Sequence, residues 1–193
     1  ALGKGATLNA IHFSESAIFS DKGIDAHGAV ASIMNSLAEG SMSLVIHEST
    51  AKGRDPFYYP MCEAARLGLN DFQLIFLPWY LENGYQRDWE THRSEAMRRG
   101  RSDPGEKFVP TKDEAKLRKK LSNTRVREGQ HWYRYKYRLK DEQLIWRRWA
   151  VQNKCQGKEE LFQRYYPSTY EEAFTASADC LFRDKDISFY RKR

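Results

Sequence analysis

Two short apolar runs, each ending abruptly in small polar and acidic residues and separated by one helix-length segment, restrict this chain more than any other feature. The first is Leu8-Asn9-Ala10-Ile11-His12-Phe13, closed by Ser14-Glu15; the second is Leu44-Val45-Ile46, closed by His47-Glu48-Ser49-Thr50-Ala51. Over residues 25–39, Val30, Ile33, Met34 and Leu37 recur at spacings of three and four, the period of a helix face, and Gly40 follows as a stop. Strand, crossover helix and strand is the direct reading, and a helical crossover implies parallel pairing. Residues 56–67 read as another helix, with Pro60 in its first turn and Gly68 at its end, and 72–77 as a third strand stopped by Pro78. The fold class expected is α/β, a parallel sheet with flanking helices. In such sheets ligands sit at the C-terminal ends of the strands, where the polar clusters lie.

Beyond Trp79 the character changes. Gly84, Gly100, Pro104, Gly105 and Pro110 punctuate a polar stretch that reads as loop or linker. Residues 114–121, 141–152 and 159–165 then carry helical patterns, with Ile145 and Trp149 four apart and Pro167 closing the last, and 171–174 add a short turn. The sequence divides on this reading into residues 1–90, the sheet-bearing part, and 91–193, a basic and largely helical connector.

A chain of 193 residues with 40% hydrophobic and 13% aromatic content has the material for a packed core. Mean hydropathy is −0.78 and no apolar run approaches the roughly 20 residues of a membrane helix. No membrane partner is expected, and the first 22 residues lack the basic-then-apolar pattern of a secretion signal. Cys62, Cys155 and Cys180 are far apart and never in CxxC spacing, which reads as three reduced thiols. The five histidines are isolated, so no metal site is expected from them.

Net charge is +6 with pI near 9.2, and the basic excess sits in the second half. Lys116, Lys119 and Lys120 cluster there, and Trp132-Tyr133-Arg134-Tyr135-Lys136-Tyr137-Arg138 alternates aromatic and basic residues. Such a strand either stacks bases on one face and meets phosphates with the other, or packs its aromatic face on core and solvates its basic one. Lys116, Lys119, Lys120, Arg134, Lys136 and Arg138 are thus the candidate nucleic-acid contacts. Trp146 and Trp149 read as core residues rather than a stacking platform.

An apolar strand delivering a hydroxyl and then a carboxylate has the shape of a Walker B element. In phosphoryl transfer the first position supports a magnesium ion and the second orients or deprotonates the attacking water. Glu15 is the candidate base. Ser14 stands where an Asp is usual, and offers the ion a neutral oxygen only. A structural alternative stays open, Ser14 capping a helix whose dipole favours Glu15. Ser49, Thr50 and Ala51 at the second strand end are placed to sense a γ-phosphate, and equally to make a turn.

Taken together, Ile11-His12-Phe13-Ser14-Glu15, then Ile46-His47-Glu48-Ser49-Thr50-Ala51-Lys52-Gly53, then Phe76-Leu77-Pro78-Trp79-Tyr80 resemble consecutive signatures of the large terminase subunits of tailed bacteriophages. Further on, Glu142-Gln143-Leu144-Ile145-Trp146-Arg147-Arg148 and Tyr166-Pro167-Ser168-Thr169-Tyr170-Glu171-Glu172-Ala173-Phe174 resemble the segment joining that family's ATPase and nuclease domains. The resemblance implies a partial P-loop NTPase-like sheet, Glu15 as catalytic carboxylate, Ser14 as the other Walker B position, and Ser49-Thr50-Ala51 as coupling motif. It implies Mg-ATP as cofactor, and double-stranded DNA, a portal protein and a small terminase subunit as partners. The intact enzyme would work as a homo-oligomeric ring at the procapsid portal in the host cytoplasm.

No GxxxxGK[ST] occurs in the sequence. On the family's pattern the phosphate loop lies upstream of Ala1 and the metal-dependent nuclease downstream of about Phe182, so the fragment alone is expected to be inactive. An open sheet edge, prone to pairing with another chain, is a further expectation. Two other readings accommodate the same residues: another helicase-like DNA translocase, and a non-enzymatic basic module that binds nucleic acid.

Overall fold

A computed structural model of the chain describes residues 7–22, 25–40, 42–128, 131–135 and 137–175, with the side chains of 21–22, 124–128 and 131–135 outside that description. The chain divides into two compact units, Ala1–Ala64 with Ala173–Arg193, and Ala65–Glu172. Among the described residues the secondary structure is mixed, with seven α-helices, two 3-10 helices and two two-stranded sheets.

In the first unit, β1 (Ala10–Phe13) and β2 (Leu44–His47) pair in parallel, in the register Ala10 to Leu44 through Phe13 to His47. The expected crossover helix is α1 (Ala26–Met34), whose start is capped by the Asp25 carboxylate accepting from the Gly28 N–H at 2.9 Å. Leu8, the expected start of the first strand, instead makes a lone parallel bridge to Leu37, with the Ala38 N–H donating to its carbonyl at 2.7 Å. Ile11 and Phe13 point into the core, where Phe13 stacks on the His47 ring (centroids 4.4 Å apart) and Phe19 on Phe57 (6.0 Å). The opposite face stays open: Leu44 is 55% and Ile46 43% exposed. That is unusual for a parallel pair, which is normally covered on both faces.

After β2 the chain turns at Gly53, whose φ of +59° lies in the left-handed region. It then enters α2 (Tyr58–Leu67), within which the division between the units falls. The buried Asp55 carboxylate accepts from the N–H groups of Phe57, Tyr58 and Tyr59 (2.9, 2.5 and 3.2 Å), satisfying donors that the first helical turn leaves orphaned. Burial pushes the Cys62 thiol on this helix up to about 11, a packing cysteine rather than a nucleophile.

The second unit holds α3 (Trp89–Arg98), α4 (Lys112–Leu121), the antiparallel hairpin β3 (Thr124–Glu128) and β4 (His131–Tyr135), α5 (Asp141–Asn153) and α6 (Glu159–Tyr165). The last helix, α7 (Tyr170–Thr175), runs across the other end of the division. Its core is aromatic. Tyr85 stacks on Trp146 at 4.0 Å, Trp79 lies 5.6 Å from the same indole, and Phe162 and Leu144 are fully buried beside them. Burying one such side chain is worth about 1.5–3 kcal/mol. Two buried side chains in this core find hydrogen-bond partners: the Trp79 indole N–H donates to Ser168 Oγ (3.1 Å), and Gln143 Nε2 to the Tyr80 carbonyl (2.7 Å) and to Tyr137 Oη (2.9 Å). Residue 90, where the sequence suggested a boundary, lies inside this unit.

Two sequence expectations are corrected here. Residues 72–77 form no strand among the described residues, although their exposure alternates with a period of two. They belong to the second unit, whereas β1 and β2 belong to the first. The polar stretch after Trp79 is not all loop, because it contains the 3-10 helix Trp79–Leu81 and α3. Helix α3 buries no residue and is started by Asp88, whose carboxylate accepts from the Thr91 N–H at 2.8 Å, so no apolar stripe announced it.

Helix α4 opens with a reciprocal capping box: the Glu114 N–H donates to Thr111 Oγ1 (3.2 Å) and the Thr111 N–H to Glu114 Oε2 (2.7 Å). Thr111→Ala is expected to lower stability by about 1 kcal/mol. Urea melts of the two chains check it; a loss within error of zero would show that the cap contributes nothing.

Candidate active site

The two strand ends lie side by side because of the register. With Phe13 opposite His47, one further step sets Ser14 beside Glu48, and the next sets Glu15 beside Ser49. The backbone is tied across this step: the Glu48 N–H donates to the Phe13 carbonyl (3.0 Å), and the Ser16 N–H to the Glu48 carbonyl (3.1 Å). The side chains follow the same pairing. Ser14 Oγ donates to Glu48 Oε1 at 2.5 Å, and His12 Nε2 lies 3.7 Å from that oxygen. Ser14 thus spends its hydroxyl proton on the neighbouring strand.

Ser49 stands at the centre of the second pair. Its Oγ accepts from the Ala17 N–H at 3.1 Å and lies 3.3 Å from Glu15 Oε2 and 2.9 Å from the Thr50 carbonyl. A hydroxyl has one proton to donate, so the carboxylate and the carbonyl are alternative acceptors for it. Thr50 is exposed and enters the network through its carbonyl, and Ala51 is half-buried beside it.

Glu15 itself is exposed and has a φ of +55°. A non-glycine residue there costs on the order of 1 kcal/mol, and such strain concentrates at functional sites. Immediately after it, Ser16 is fully buried, with Oγ 3.2 Å from the Phe13 carbonyl and 3.0 Å from His47 Nδ1. Burial lowers the His47 pKa and favours its neutral ring. This pair lies beneath the carboxylates and fixes the turn that presents Glu15. Reading residue types alone missed Ser16, His47 and Glu48 as site residues; the signal that finds them is the strand register.

The structure brings Ser14, Glu15, Ser49, Thr50 and Ala51 together in the first unit. The proposed nucleic-acid residues are elsewhere. Lys116, Lys119 and Lys120 are exposed on α4 in the second unit, where Lys116 pairs with Asp113 at 3.1 Å. Arg138 is exposed beyond the hairpin, Lys136 lies outside the described residues, and of Arg134 only the backbone is described. Trp146 is core, and Trp149 is half-buried with the Arg87 guanidinium 5.3 Å over its ring.

Among the described residues no group of three or more His, Cys, Asp or Glu side chains is arranged to hold a metal by itself, and no helix is long and apolar enough to cross a membrane. No family model matches the chain, and neither does any curated protein or solved structure.

Proposed function

We propose that this chain is the Walker B and coupling part of the ATPase of a phage large terminase subunit, joined to the connector that precedes its nuclease. In this reading the parallel pair β1 and β2 belongs to a P-loop NTPase-like sheet. The observation that carries it is the Ser49 hydroxyl, which sits between the strained, exposed Glu15 and the loop after β2. A catalytic carboxylate and the segment that must respond to hydrolysis are thereby one hydrogen bond apart.

The chemistry assigned to the chain's own residues is limited. Glu15 accepts a proton from the attacking water as its oxygen bonds to the γ-phosphorus and the bond to the bridging oxygen of the ADP leaving group breaks. Protonation of Glu15 removes the charge that attracts the Ser49 proton, which leaves the Thr50 carbonyl as its better acceptor. The state of the carboxylate is passed in this way to the backbone at Thr50. The oxygen donors at the strand ends, the Ser14 hydroxyl and carboxylate oxygens, are the hard ligands that a magnesium-bound nucleotide uses, so the residues present fit that group. Bound there, Mg-ATP supplies the phosphoanhydride that is cleaved.

Double-stranded DNA, a portal protein and a small terminase subunit are the partners of this reading. It places a ring of the intact protein at the procapsid portal in the host cytoplasm. The exposed lysines of α4 and Arg138 are its DNA contacts. The full-length protein is expected to hydrolyse ATP in a magnesium-dependent reaction stimulated by duplex DNA, and residues 1–193 alone to release no phosphate. A phosphate-release assay on both decides. A full-length protein that neither binds nor hydrolyses ATP would overturn the proposal.

A further inference from the structure

We infer that Glu48 is the carboxylate that supports the divalent cation of this site, through the hydroxyl of Ser14 and across the strand ladder. The inference rests on the nucleotide chemistry proposed above. At a magnesium site in phosphoryl transfer the ion keeps several waters and is held by one or two carboxylates together with the substrate phosphates. The end of β1 supplies two candidates: Ser14, which is neutral, and Glu15, which must stay free of the ion to act as a base. Asp55 is buried and engaged with the three N–H groups that start α2. The carboxylate that remains at the strand ends is Glu48, one ladder step from where an Asp at position 14 would stand.

Its geometry fits that task better than a purely structural one. Glu48 Oε1 is 2.5 Å from Ser14 Oγ, which fixes the carboxylate against β1, while the side chain remains 49% exposed. His12 Nε2 lies 3.7 Å from the same oxygen and its side chain is 57% exposed, and a contact so open to water contributes little to stability. A carboxylate tethered at one oxygen, open to solvent and set beside the catalytic base is positioned for an ion that arrives with its own waters. Position 14 is neutral, and the negative charge next to it is carried by Glu48 on the neighbouring strand.

The test uses the full-length protein and Mn²⁺ as the probe, followed by EPR in the presence of a non-hydrolysable ATP analogue. Glu48→Gln is expected to weaken Mn²⁺ binding by about 10- to 100-fold, with affinity for the analogue in EDTA unchanged. Ser14→Asp placed in the Glu48→Gln background is expected to restore Mn²⁺ binding, which loss of a merely structural contact would not allow. Should Glu48→Gln fail to fold, Glu48→Asp serves instead, and a carboxylate one methylene shorter is expected to shift Mn²⁺ affinity at constant nucleotide affinity. Unchanged Mn²⁺ affinity, or a loss that Ser14→Asp leaves unrepaired, overturns the role of Glu48 while leaving the nucleotide site intact. A wild-type protein that binds no nucleotide overturns both.

Discussion

Replacing Glu15 by Gln or Ala in the full-length protein is expected to lower ATP turnover by about a hundred- to ten-thousand-fold, the range a positioned general base contributes, while nucleotide binding persists. The argument is one of geometry. Glu15 is exposed, follows β1 directly, and is held toward solvent by the buried Ser16, which pairs with the half-buried His47. Neither substitution removes core packing, so neither should unfold the protein. Backbone strain supplies an internal control. At φ +55°, Glu15→Gly relieves a penalty on the order of 1 kcal/mol. It should therefore melt at or above the wild-type temperature while losing turnover as completely as the other two. Steady-state kinetics with a fluorescent ATP analogue for binding, and thermal melts of the three variants, check both halves. Retained turnover in Glu15→Gln would sink the assignment of the base.

The parts of this site that were legible in the sequence are those written in one-dimensional pattern. The apolar run to Phe13 stops at Ser14-Glu15, the run to Ile46 stops one residue before the observed strand end, and the period of Val30, Ile33, Met34 and Leu37 lies between them. Strand, helix and parallel strand followed from these alone. Glu48 was visible as a letter but not as a partner of Ser14, because cross-strand pairing depends on register and no local pattern states register. The apolar segment 72–77, read as a third strand stopped by Pro78, fails for the converse reason: its exposure does alternate, but it pairs with no other strand among the described residues. A period of two describes which side chains are covered, whereas a strand exists only where a backbone ladder forms. Helix α3 was hidden because its stabilisation is polar: the Asp88 cap and the Arg93 to Asp103 pair at 2.8 Å leave no apolar stripe to count. The packing of Trp79 against Trp146 joins segments far apart in sequence, and composition could say only that such aromatics belonged in a core.

The largest stability effect is expected at Glu114, whose side chain the sequence marked merely as the start of a helix. It is 4% exposed, and the Arg148 guanidinium grips it with two nitrogens at 2.6 Å each. Arg148 also donates to the Val109 carbonyl at 2.7 Å and covers the Phe108 ring at 4.6 Å, so this one pair ties α4, α5 and the segment between α3 and α4 together. Glu114→Ala leaves a guanidinium without its counter-charge. Breaking a buried pair costs about 3–5 kcal/mol, and the lower end applies because the Arg148 side chain keeps 26% of its exposure and can recruit water. Replacing both partners, with Glu114→Leu and Arg148→Met together, should recover most of the loss, leaving about 1 kcal/mol for the vacated capping box.

The pH dependence has a definite sign. Burial acts to raise the Glu114 carboxyl, but the hydrogen bonds from Arg148 and from the Thr111 N–H outweigh it and hold the pKa below the ordinary glutamate value. A depressed carboxylate contributes stability that is present above its unfolded-state pKa and is lost as pH falls through its lower folded-state value. Glu159 works the other way: burial raises it despite Arg147, so its contribution is lost as pH rises through its folded-state value. The difference between wild type and Glu114→Gln cancels Glu159 and isolates the first effect. Urea melts from neutral pH down into the acid range should show the two proteins converging as Glu114 is protonated. A stability gap that stays constant across that range would show that the Glu114 charge contributes nothing and that only its shape matters.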